Sequence, residues 1–124
     1  MCVFCVSYAQ MGTRERVVFY NTENLFDTRN DTLTADDDFT PRGKQHWNRE
    51  RYTRKLLNIS KVLNGLGAGK FPLLIGLSEV ENRNVVSDLV NKTVLADGNY
   101  GIVHTDSPDT RGIDVALLYR KDSF

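Results

Sequence analysis

The chain has 124 residues, of which 40% are hydrophobic and 10% aromatic, so it is long enough to bury the core of one ordinary domain. Sixteen Lys and Arg residues balance sixteen Asp and Glu residues, and this neutral total argues against a strongly basic nucleic-acid coat and against an acidic tail. The charges are segregated, because 23–38 is acidic and 42–61 is basic. Each run taken alone is more typical of a solvated loop or helix face than of a binding surface.

The first ten residues, MCVFCVSYAQ, are apolar and contain small residues at the spacing that a signal peptidase prefers. We interpret residues 1–9 as the remnant of an export signal and residues 10–124 as one partial domain. The apolar stretch is shorter than the roughly 20 residues that a helix needs to cross a bilayer. The sequence therefore predicts a secreted or periplasmic protein with no stable membrane span.

The remaining patterns predict strands and helices in alternating order, which is typical of an α/β domain. The first strand, ERVVFYN, has the composition of a strand buried on both faces, and a long polar loop follows it over 22–47. A helix is predicted from the N-cap Asn48 to the glycines at 65–69, and a second helix follows Asn82. The other predicted strands are PLLIGLS, YGIVH and DVALLYR. The inward face of the first helix is predicted to carry Tyr52, Leu56, Ile59, Leu63 and Leu66.

Polar side chains follow two of these strands at the point where each strand ends. Asn21 and Glu23 follow the first strand, and Glu79 and Glu81 follow the second. Polar groups at such strand ends line the ligand crevice of α/β sheets, and Mg²⁺ needs only one or two carboxylates. For Glu81 the alternative is a favourable interaction with the dipole of the following helix. Glu79 directly follows an apolar run, so we expect a partner for its charge.

Four segments carry a resemblance to a known family. They are VVFYNTENLFD, FTPRGKQHWNRERYTRKLLNISKVL, LLIGLSEVEN and SPDTRGIDVALLYR, in this order. Together they resemble the N-terminal half of the endonuclease/exonuclease/phosphatase superfamily, which has the DNase I-like fold, and in particular its secreted bacterial members. The resemblance runs from Val17 to Phe124. It implies an α/β fold that forms the N-terminal half of a four-layer α/β/β/α sandwich.

The resemblance also implies roles for individual residues. Asn21 matches an asparagine that holds the active-site phosphate or a catalytic partner, and Glu79 matches the glutamate that binds the essential Mg²⁺. Mn²⁺ and Ca²⁺ are alternatives for this metal. Glu23 stands where some relatives have a metal-proximal aspartate, so it is a second candidate ligand. Ser78 replaces a glutamine that is common before the metal-binding glutamate, and this leaves the substrate class open.

Two further side chains are candidates for contact with the substrate. Arg111 is suited to clamp a phosphate, because a guanidinium group matches two phosphate oxygens at once. The alternative is that it pairs with Asp109 or Asp114 in a surface turn. His104 ends a strand and is either a substrate contact or a hydrogen-bonded structural residue.

The expected function is that of a Mg²⁺-dependent phosphoesterase in which water attacks the phosphorus directly. A nuclease is the leading prediction, because the basic helix start and Arg111 suit a nucleic-acid backbone. The alternatives are a phosphatase acting on lipid or sugar phosphates and a noncatalytic binding module. The Gly-Asp-x-Asn and Ser-Asp-His motifs of the superfamily's second half do not occur in the sequence, so we expect an incomplete and inactive fragment of a longer enzyme. No obligate protein partner is indicated.

Overall fold

A computed structural model describes residues 4–11, 13–28, 48–67, 69–108 and 113–124, with side chains from residue 15 onwards. Over this part of the chain the fold has five strands and two α-helices. The strands are β1 (Phe4–Met11), β2 (Thr13–Leu25), β3 (Leu74–Val80), β4 (Tyr100–Thr105) and β5 (Asp114–Arg120). The helices are α1 (Arg49–Leu66) and α2 (Arg83–Asn91), and short 3₁₀ turns occupy Val94–Gly98 and Lys121–Ser123.

The strands form one mixed sheet in the order β1-β2-β3-β5-β4. Strands β2 and β3 are parallel, whereas β1 is antiparallel to β2, and β5 is antiparallel to both of its neighbours. The carboxyl ends of β2, β3 and β4 therefore lie at the same edge as the amino end of β5. Each predicted site residue on a strand is close to this edge.

Both helices begin where the sequence predicts. The side chain of Asn48 accepts a hydrogen bond from the N–H of Arg51, and that of Asn82 accepts one from the N–H of Val85. The predicted inward face of α1 is confirmed, because four of its five members are buried and Leu66 is partly buried against the core. The α-helices pack on one face of the sheet, which confirms the predicted α/β arrangement.

The opposite face of the sheet is exposed over the described residues. Phe19 has 58% of its surface accessible, so the prediction that the first strand is buried on both faces is wrong. The other large exposed side chains of this face are Val103, Val115 and Leu117. This one-sided covering is the arrangement expected for half of a four-layer sandwich.

Two aromatic rings on the exposed face lie over glycines of the neighbouring strand. A Cβ atom at Gly76 would come within 2.5 Å of the Phe19 ring, and one at Gly101 within 2.3 Å of the Tyr119 ring. Glycine is therefore needed at both positions for the strands to keep these rings in place.

The predicted export-signal remnant overlaps strand β1, which pairs with β2 from Phe4 to Met11. Removal of residues 1–9 stays a prediction. Within the described residues, neither helix is long and apolar enough to cross a membrane.

Candidate active site

The backbone is irregular at the shared edge of the sheet. The register between β2 and β3 shifts between Asn21 and Leu25, and the register between β3 and β5 shifts between Ser78 and Val80. Such bulges redirect side chains and are frequent beside active sites. Glu23, Asn24 and Glu79 adopt left-handed backbone angles, with φ of 55°, 62° and 61°. This conformation costs roughly 1–2 kcal/mol for a residue with a side chain, so its concentration here indicates a functional constraint.

The irregular backbone brings Asn21 and Glu79 together. The Nδ2 atom of Asn21 donates a hydrogen bond to Oε1 of Glu79 at 3.2 Å, and the backbone N–H of Asn24 donates one to Oε2 at 3.0 Å. The Oδ1 atom of Asn21 accepts a hydrogen bond from the N–H of Glu23 at 2.7 Å. The Thr22 hydroxyl lies within 2.9 Å of the carbonyl oxygens of Ser78 and Glu79. The carboxylate that ends the apolar strand is thus held by donors from β2.

The donor set fits a hard divalent cation. Each oxygen of Glu79 accepts one of the hydrogen bonds described above, and a carboxylate oxygen has lone pairs for a second partner. The neighbouring Asn24 has a buried Oδ1 atom that has no hydrogen-bond donor among the described residues. Mg²⁺ prefers carboxylate and amide oxygens of this kind. Glu79 could therefore hold such a cation, and Glu23, whose exposed side chain lies at the same turn, is the second candidate ligand.

Glu81, in contrast, is tied into the backbone of the fold. It is 7% exposed, and its Oε2 atom accepts a hydrogen bond from the N–H of Asp27 at 2.7 Å. Its own N–H donates to the carbonyl of Leu25 at 2.9 Å. These contacts join the segment after β2 to the segment after β3. They explain the acidic residue at position 81 by a structural role that differs from an interaction with the helix dipole.

His104 lies at the same edge but on β4, which is separated from β3 by β5. Its Nε2 atom is 2.9 Å from Oδ2 of Asp114, whose side chain is 7% exposed. Asp114 also accepts a hydrogen bond from the N–H of Ser107 at 2.7 Å. These contacts join the end of β4 and the residues that follow it to the start of β5, and they favour the structural role for His104.

Asp106 extends this pair to a group that could coordinate a divalent cation. Its Oδ1 atom is 3.9 Å from Nδ1 of His104, and ligand atoms of His104, Asp106 and Asp114 all lie within 4.8 Å of one another. Sequence reasoning missed this group, because its members come from two strands and a loop. Arg111 and Asp109 lie outside the described residues, so the phosphate-clamp prediction for Arg111 stays a prediction.

The described residues thus form a sheet covered by helices on one face, with an amide–carboxylate pair at the carboxyl edge of its parallel strands. The family model described as the endonuclease/exonuclease/phosphatase family matches residues 16–124, and the chain belongs to that family. Membership indicates a hydrolase that acts on phosphate esters and whose relatives commonly use divalent metals. Searches of curated proteins and of solved structures found no match.

Proposed function

We propose that the protein is a Mg²⁺-dependent phosphoesterase and that its substrate is a nucleic acid. The observation that carries this proposal is the Asn21–Glu79 pair, which is held by the left-handed turn at the edge of the sheet. Family membership supports the reaction class, because it independently indicates hydrolysis of a phosphate ester.

The residues of this chain would position the reacting groups. When bound, the metal would polarise the phosphoryl group and stabilise the negative charge that develops on its oxygens. Glu79 supplies the anionic ligand, and Asn21 and the N–H of Asn24 fix the orientation of its carboxylate. Because these donors come from the backbone and from a half-buried amide, the carboxylate needs little reorganisation when the cation arrives.

A cationic pocket beside the turn favours a polyanionic substrate. The pocket has a volume of about 320 Å³, lies between the end of β2 and helix α1, and reaches Glu23. Arg51, Arg54 and Lys55 line it from the helix side. Glu23 also lines the pocket and Arg54 pairs with Glu50 at 2.8 Å, so three cations stand against two carboxylates at this wall. A nucleic-acid strand offers phosphates at regular spacing to such a wall, whereas a phosphatase substrate offers only one or two.

Export of the protein is also a proposal. Its support is the apolar composition of residues 1–9 and the small residues that end this segment. Mass spectrometry of the native protein from outside the cell should find a chain without these residues, and retention of Met1 would contradict the proposal.

The proposed function is tested by activity assays on the protein in its natural length. Single-stranded and double-stranded DNA, RNA and an aromatic phosphomonoester are incubated with Mg²⁺, Mn²⁺, Ca²⁺ or a chelator. We expect cleavage of a nucleic acid that requires Mg²⁺ or Mn²⁺ and is lost in Glu79→Gln. The matched control is Asp97→Asn, which removes an exposed carboxylate of the 3₁₀ turn Val94–Gly98. Hydrolysis of the monoester alone would show that the protein is a phosphatase and not a nuclease. Activity that survives both the chelator and Glu79→Gln would overturn the proposal.

A further inference from the structure

Lys55 of helix α1 contacts the backbone of the left-handed turn. Its Nζ atom donates hydrogen bonds to the carbonyl oxygens of Glu23 at 2.5 Å and of Asn24 at 3.1 Å. These are two consecutive residues with positive φ, at 55° and 62°. One ammonium group therefore binds the carbonyl side of the same turn whose N–H groups face the active site.

The energetics of the turn explain why such a clamp is useful. The left-handed conformation costs roughly 1–2 kcal/mol for Glu23 and less for Asn24, so the turn tends to relax to ordinary backbone angles unless other contacts hold it. Hydrogen bonds from a charged donor contribute about 1.5–3 kcal/mol, which is enough to offset much of this cost. An ammonium group also has three donors, and this suits it to bind neighbouring carbonyls.

The two sides of the turn are coupled through its peptide groups. On the active-site side, the N–H of Glu23 donates to Asn21 and the N–H of Asn24 donates to Glu79. If the carbonyl groups rotated, the peptide planes would rotate with them, and the N–H of Asn24 would move away from the carboxylate. The contact made by Lys55 on the far side thus bears on the orientation of Glu79.

We infer that Lys55 is a positioning residue for the metal site: it fixes the Glu23–Asn24 turn and thereby orients the Glu79 carboxylate toward the cation. The inference rests on the proposed function, since it assigns Lys55 to the same metal site. This role is in addition to the place of Lys55 in the wall of the pocket, which it lines together with Arg51 and Arg54.

The charge of Lys55 and its positioning role predict opposite effects on metal binding when Lys55 is removed, so the two explanations can be distinguished. A positive charge near a cation site disfavours the cation, and removing it should tighten binding if charge alone mattered. If Lys55 acts by positioning, removing it should weaken binding, because the carboxylate loses its fixed orientation. Loss of an outer-shell partner typically costs about 10–100-fold in metal affinity.

The experiment measures Mn²⁺ binding by electron paramagnetic resonance and backbone amide exchange by NMR on the full protein. Lys55→Met should raise the Mn²⁺ dissociation constant by about 10-fold or more and accelerate exchange of the Asn24 amide. Lys55→Arg keeps a charged donor and should restore most of the affinity. Lys61→Met removes an exposed cation from the same helix and should leave both readouts unchanged. If Lys55→Met does not fold, the comparison is made with Lys55→Gln.

The outcomes separate the inference from the proposed function. If Glu79→Gln abolishes Mn²⁺ binding while Lys55→Met binds as tightly as the wild type or more tightly, the inference is overturned and the proposed metal site stands. If Glu79→Gln binds Mn²⁺ normally, the proposed metal site is wrong and the inference is overturned with it. Weaker binding in Lys55→Met that Lys55→Arg restores would support both.

Discussion

Replacing Glu79 with glutamine should expose two separate contributions of this residue, one to stability and one to metal binding. The change removes the charge and keeps the size of the side chain. Both carboxylate oxygens accept hydrogen bonds, from Asn21 at 3.2 Å and from the N–H of Asn24 at 3.0 Å. Glutamine has only one acceptor oxygen, so its NH₂ group must face one of these two donors.

The magnitude follows from which hydrogen bond is lost. The N–H of Asn24 is fixed in the backbone, whereas the amide of Asn21 is on a half-buried side chain that can turn away. We therefore expect the glutamine oxygen to face Asn24 and the longer bond to Asn21 to break. A hydrogen bond to a charged group contributes about 1.5–3 kcal/mol, and partial exposure places this one near 1 kcal/mol. In a domain of this size that loss lowers Tm by roughly 5 °C.

The assay is urea unfolding in a chelator and in excess Mg²⁺. At about 100 times the dissociation constant, a bound cation adds about 2.7 kcal/mol to the free energy of unfolding of the wild type, and Glu79→Gln should gain none of it. Asp97→Asn should behave as the wild type in both buffers. Equal stabilisation of Glu79→Gln and wild type by Mg²⁺ would refute the assignment of the metal, and unchanged stability in the chelator would refute the hydrogen-bond reasoning.

Three further predictions concern other parts of the fold. Asp114→Asn should lower the free energy of unfolding by about 1–3 kcal/mol in denaturant titrations, because a buried carboxylate that pairs with His104 loses its charge; an unchanged midpoint would contradict this role. Burial, together with a hydrogen bond to a carboxylate, raises the pKa of Tyr52 above its usual value. The contribution of Tyr52 to the free energy of unfolding should therefore be fully present below about pH 10 and be lost as the pH rises further. Tyr52→Phe should lose less stability in this alkaline range, the remaining loss coming from Tyr100, whose pKa is also raised by burial; parallel pH profiles would show that Tyr52 does not contribute. Phe19→Thr should change stability by less than about 1 kcal/mol, because the ring is 58% exposed, and should reduce self-association in light scattering, a result that equal scattering would contradict.

The helices and the buried strands could be predicted from the sequence because their signals are local. The apolar residues of α1 recur with the helical period, and Asn48 marks its start. Strand β2 was harder, because it continues to Leu25 through the polar residues that follow Asn21. Pairing with β3 across bulges extends the strand there, and no alternating pattern marks such an extension.

The candidate site could be predicted only in part, because some of its contacts join residues that are far apart in the sequence. Asn21 and Glu79 follow apolar runs, so their position at one edge of the sheet was foreseeable. Asparagine tolerates the left-handed conformation better than most residues, which is a weak signal for Asn24. Lys55 gave no signal, because its contacts with Glu23 and Asn24 span 32 and 31 residues and involve only backbone acceptors, which any residue type supplies.

The left-handed residues at the edge of the sheet have a consequence for engineering. Glycine would adopt the backbone angles of Glu23 at little cost, so Glu23→Gly relieves about 1–2 kcal/mol of conformational penalty, whereas Glu79→Gly would also lose the hydrogen bonds from Asn21 and Asn24. A directed-evolution screen that rewards only heat resistance would thus favour glycine at position 23 and would discard the Glu23 carboxylate in the process. Thermostable variants of this protein should be sought by changes elsewhere, with both glutamates held constant.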